Sequence, residues 1–256
     1  MNSQQFVAEN SIIRLIWGNS DVVLFIFAGA AADFALNKAV DWLYFSGKLP
    51  ADPLGRLFST VSYAHKIIFA SEENAHAAID AITAIHSAVE HKRKASIPDW
   101  AYRDVLYMLI QYSINAWELL ERQLSPQEKE EIYNVFYRMG TRMDIGGLPL
   151  SFTLWEADRL KHMHNDLAVS KYTPDLFAQY RKHLGGLRYR IMLRAQALLL
   201  PEYPKKLLVL RSSGAFSAML YLYKYSRLNR LTKKLRELML PVAYRSQILA
   251  LDVAPV

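Results

Sequence analysis

Helix-start signals recur along this chain and strand signals do not, which restricts it to helix-on-helix packing. Asp52-Pro53 sets an N-cap before a proline at the first helical position, and Thr173-Pro174 repeats the pattern. Ser125-Pro-Gln-Glu128 and Thr153-Leu-Trp-Glu156 have the spacing of capping boxes, in which hydroxyl and glutamate each satisfy an orphan N–H. Between these marks apolar residues return every three or four positions, as in Val105, Met108, Tyr112 and Ala116. No alternating Val/Ile/Thr run is bounded by a hairpin dipeptide. The prediction is an all-α fold, a single multi-helix globular domain. Its helices are expected near 4–17, 20–46, 52–69, 71–92, 99–123, 126–139, 153–169, 174–184, 186–199 and 216–239. Hydrophobic residues make up 52% of the 256, enough for a packed core.

The chain contains no cysteine, so disulfides, zinc-thiolate sites, iron–sulfur clusters and thiolate-ligated haem are excluded. Any iron must rest on His, carboxylate, Tyr or Met. The start, MNSQQFVAEN, lacks the basic and apolar regions of a signal peptide, and a cytoplasmic location is expected. The most apolar stretch, Val22 to Ala31, is bracketed by Asp21 and Asp33 and falls short of the ~20 residues that span a bilayer.

Net charge is +7 and unevenly placed. Residues 181–256 hold 15 Lys and Arg against three acids, giving +12, and the rest of the chain carries −5. Residues 1–215 are read as the body of the domain. Residues 216–256 are read as a basic amphipathic extension packed on it, with Tyr221, Tyr225, Leu228, Leu231, Leu235 and Leu238 able to share one face. Such a helix can lie on an anionic membrane as a peripheral contact, or pack on its own domain. Charge of this kind also suits nucleic acid, but no specific nucleic-acid partner is expected.

The helix opening at Ser71, SEENAHAAIDAITAIHSAVEHKRK, has an apolar stripe of Ala75, Ile79, Ile82, His86 and Val89. His86 thus stands where an aliphatic residue is expected. A buried imidazole needs a partner, and either a metal or a hydrogen bond supplies one. His91 lies about 140° further round and cannot share a metal with His86 from one face. One helix upstream, DPLGRLFST sets Arg56 and Thr60 one turn apart, a guanidinium and a hydroxyl suited to a carboxylate. Glu73-x-x-His76 is half of a di-iron signature, without a second Glu-x-x-His to complete it.

With DPLGRLFST followed by IHSAVEH, and with LLERQLSPQEKEEIYNVFYRMG and ALLLPEYPKKLL later, the chain resembles the MpaB/latex-clearing-protein family over residues 20–210. The resemblance implies a haem b pocket between helices, with His86 as axial iron ligand and Arg56, Thr60 and His91 supporting the haem or its helix. It implies an oxygenase or related oxidoreductase, using O₂ or peroxide on an apolar or aromatic small molecule. Rubber-cleaving members carry a Lys before the Thr and an upstream distal Glu. Here Ser59 stands before Thr60 and residues 10–71 hold no Glu, which argues against polyisoprene as substrate. Asp33 is the nearest acid to take a distal catalytic role, or else it is hydrogen-bonded within tight helix packing. The alternative function is a non-catalytic haem- or lipid-binding helical protein.

Overall fold

The computed structural model describes residues 4–45, 47, 51–226 and 252. Among these the fold is all-α, as the capping and periodicity predict, with eleven helices and no strands. They are α1 (Ile12–Trp17), α2 (Ser20–Leu36), α3 (Val40–Phe45), α4 (Pro53–Ile68), α5 (Glu72–Arg93) and α6 (Asp99–Leu120), followed by α7 (Pro126–Arg142), α8 (Phe152–Asp166), α9 (Tyr172–Leu199), α10 (Glu202–Leu207) and α11 (Gly214–Ser226).

The apolar helix α2 runs through the centre, buried on nearly every side, with α6 and α9 packed along it. Its small residues allow this. A Cβ at Gly29 would overlap the Tyr112 ring of α6. Side chains of α9 reach the backbone of α2: Gln196 Nε2 donates to the Ala28 carbonyl at 2.9 Å, and Thr173 Oγ1 to the Ala35 carbonyl at 2.7 Å. Gly29→Ala should therefore destabilise the fold by about 1–3 kcal/mol, the usual cost of overpacking, read as a lower midpoint in urea unfolding. An unchanged midpoint would show that α2 and α6 can separate freely.

Several boundaries differ from the sequence expectation, each for a local reason. The helix expected over 20–46 breaks at Asn37, where the backbone turns extended and pairs with Leu167. There Asn37 Oδ1 accepts the Ala39 N–H at 2.8 Å. The expected helices 174–184 and 186–199 form one long element bent at Gly185, whose φ of 74° is not helical. Of 4–17 only α1 is helical; ahead of it Phe6 N–H bonds the Ala70 carbonyl and Glu72 N–H the Gln4 carbonyl, tying the segment to the start of α5.

Asp52 and Ser125 cap as expected, the latter in a full capping box with Glu128. The cap of α8 is Ser151, not Thr153, and Thr173 bonds α2 instead of capping α9. The expected amphipathic helix 216–239 lies from residue 227 onward outside the described residues. In α11, Leu220 is buried and the Tyr223 hydroxyl donates to Asp21 at 2.9 Å, while Tyr221 and Leu222 face outward.

Candidate functional site

Two caps set the site's helices. Asp52 Oδ1 accepts the Gly55 N–H at the start of α4, and Ser71 Oγ the Asn74 N–H at the start of α5. Helix α5 presents the predicted stripe inward: Ala75 and Ile79 are buried, and Ile82, His86 and Val89 half-buried. The two helices pack together and bring Arg56 of α4 close enough to His86 to act on it electrostatically.

His86 has a buried Nδ1 with no hydrogen-bond partner. Its ring lies 5.2 Å from that of Tyr102 on α6. Burial first, and then the Arg56 charge, push the imidazole down to about 4 against the opposing pull of Glu90. At neutral pH the ring is uncharged, with a lone pair free to bind a metal. Glu90 also ties the end of α5, accepting from Ile97 N–H at 2.7 Å and from the Tyr102 hydroxyl at 3.3 Å.

Arg56 is itself held below its ordinary range by burial. Its guanidinium donates to Ser59 Oγ at 3.2 Å, and no carboxylate lies within 4.0 Å of it among the described residues. A half-buried cation satisfied by one neutral hydroxyl is a receptor for an anion. Thr60 turns its hydroxyl back to the Arg56 carbonyl at 3.3 Å, so Ser59, not Thr60, meets the guanidinium. A neutral, half-buried imidazole beside a guanidinium without a carboxylate partner fits what haem requires of a protein, an iron ligand and a counter-charge for a propionate.

The remaining sequence candidates lie elsewhere. His91 is exposed, on the side of α5 away from His86. Asp33 is buried, with one carboxylate oxygen accepting from Tyr112 at 2.9 Å and the other paired with Arg159. Its contacts are those of helix packing, and none joins it to His86. Two surface clefts of about 470 and 590 Å³ flank Phe6 and Arg138, and neither is lined by His86, Arg56 or Thr60.

A second polar cluster had no part in the sequence reading. Asp158, His162 and Asp166 of α8 meet Asp104 of α6. The signal was present in DRLKHMHND, where these three residues recur at i, i+4 and i+8 on one helical face.

Among the described residues no helix is long and apolar enough to cross a membrane. The model of the family described as "ER-bound oxygenase mpaB/B'/Rubber oxygenase, catalytic domain" matches residues 17–234. No curated protein and no solved structure matches the chain. The matched span takes in α2 through α11, with His86, Arg56 and the whole α4–α5 pair, and the chain belongs to the mpaB/rubber oxygenase catalytic-domain family.

Proposed function

We propose that this protein is a haem b-dependent oxygenase acting on an apolar or aromatic small molecule, with His86 as the axial iron ligand. The observation that carries the reading is the buried, partnerless Nδ1 of a neutral His86 on α5, beside Arg56 of α4 and within the span that the oxygenase family model matches. Haem, when bound, supplies the redox chemistry of O₂ or peroxide.

The chain's own residues bind and orient. His86 offers an uncharged imidazole, which the neighbouring Arg56 helps keep unprotonated. Arg56 offers its guanidinium to a propionate, and Ser59 orients it from one turn along α4. Tyr102 packs against the imidazole and limits its rotation. Thr60 steadies the turn of α4 through the Arg56 carbonyl. The basic stretch 181–256 extends the proposal to a peripheral contact with anionic lipid, in keeping with an apolar substrate.

A visible spectrum of the purified chain, before and after addition of haemin, tests the reading. A Soret band and substrate-dependent O₂ consumption are expected, and failure to take up haemin would overturn the proposal. A second expectation follows for Arg56. Loss of a hydrogen bond to a charged group costs roughly 1.5–3 kcal/mol, so Arg56→Leu should lose haem to an apomyoglobin acceptor on the order of 10- to 100-fold faster. Equal loss rates would place the propionates elsewhere.

A further inference from the structure

The cluster where α8 meets α6 serves neither the haem reading nor the Asp33–Arg159 pair. His162 Nδ1 lies 2.7 Å from Asp104 Oδ1 and 3.0 Å from Asp166 Oδ2, and Nε2 lies 3.5 Å from Asp158 Oδ2. One donor atom each from Asp104, His162 and Asp166 fall within 4.8 Å of one another. The two shorter separations are near the ~3 Å between neighbouring donors that each sit ~2.1 Å from a single ion.

Charge points the same way. Among the described residues no Lys or Arg nitrogen lies within 4.0 Å of the three carboxylates. Lys38 and Arg103 act on Asp166 from further off and Arg159 on Asp104, but Lys38 Nζ donates to the Asn165 carbonyl, Arg103 to that of Gly146 and Arg159 to Asp33. Three carboxylates surround one imidazole, and a divalent ion offsets two of their charges and replaces the hydrogen bonds with coordinate ones.

We propose that Asp104, His162 and Asp166 form a site for a divalent first-row transition ion, Zn²⁺ fitting best, separate from the haem. The donor set mixes one imidazole with carboxylates, a borderline combination that suits Zn²⁺ or Mn²⁺ over the all-oxygen sites of Ca²⁺ and Mg²⁺. The outer atoms of the ligands are already fixed. Asn37 Nδ2 donates to Asp104 Oδ2 at 2.7 Å. Nε2 of His162 faces Asp158, which the Tyr107 hydroxyl holds at 2.8 Å, the outer carboxylate that a metal-bound histidine uses to set its tautomer.

Asp104 is 2% exposed, while the side chains of Asp158 and Asp166 are 28% and 17% exposed, so the ion reaches the site from one solvent-facing edge. The bound ion clamps the end of α8 to α6. It sits beside the backbone bonds Lys38 N–H to Asp166 at 2.9 Å and Ala168 N–H to Leu36 at 2.8 Å.

The test uses the full chain, stripped with a chelator that leaves haem in place and then titrated with Zn²⁺ or Mn²⁺ by calorimetry. One saturable site per chain is expected, with a melting temperature several degrees higher and the Soret band unchanged. Asp166→Asn, at a partly exposed helix end, should fold normally by circular dichroism and bind at least tenfold more weakly, as should His162→Gln. Absence of saturable binding by either ion, or affinity equal in wild type and Asp166→Asn, would overturn the site and leave the cluster as an ion-paired histidine.

Discussion

His86→Ala should leave the protein without haem, its Soret band absent even after haemin is added in excess. The expectation rests on one side chain: of the other imidazoles on α5, His91 is exposed and His76 lies ten residues back, packed against Phe6. An alanine there keeps α5 intact, since Ser71 still caps it and Ala75 and Ile79 still anchor its buried end. His91→Ala should retain haem near the wild-type level. A His86→Ala protein with full haem and an unchanged spectrum would refute the ligand assignment.

The low His86 value adds a pH signature. In the unfolded chain a histidine takes its proton near pH 6.5, while in the folded apoprotein His86 does so only near 4. Between those values the unfolded state binds more protons, so acidification through this window weakens the fold by way of His86. His86→Ala apoprotein should show a flatter stability profile from pH 6.5 to 4, measurable by urea unfolding. Equal slopes would mean that the ring is not held neutral.

Arg159→Met is expected to be the most destabilising substitution outside the haem site. Arg159 and Asp33 are each 2% exposed, and the Tyr112 hydroxyl completes the Asp33 contacts. Burial opposes the Arg159 charge, but the Asp33 carboxylate more than offsets this and lifts the guanidinium above its ordinary range. Removing one partner strands a charge in the interior, which costs about 3–5 kcal/mol and should lower the melting temperature by roughly 10 °C. Adding Asp33→Asn to Arg159→Met should recover much of that loss, because the stranded charge is then gone. A single variant within about 1 °C of wild type would show that water reaches the pair.

The same pair shows why side-chain partners were harder to read than fold. Asp33 invites a catalytic reading because it is an acid inside an apolar helix. Its partner Arg159 lies 126 positions away on α8, and no local pattern links them. The inward placement of His86 was legible for the opposite reason. Its anomaly is a polar residue within its own helix's apolar stripe, which spacing alone reveals.

What the sequence determined by itself is local. Asp52-Pro53 and Ser125-x-x-Glu128 start helices through bonds made within four residues, and three-to-four spacing assigns each helix an inner face. Where a competing acceptor came from a distant element, local rules failed: Asn37 breaks a helix to reach Asp104 and pair with Leu167, and Thr173 leaves its capping position to bond Ala35. Tertiary packing alone decided that Arg56 sits beside His86, and that Asp104 closes on the carboxylate–imidazole–carboxylate face of α8. Those outcomes depend on which helices touch, and the free energy that selects the contacts is non-directional apolar burial spread over the whole core.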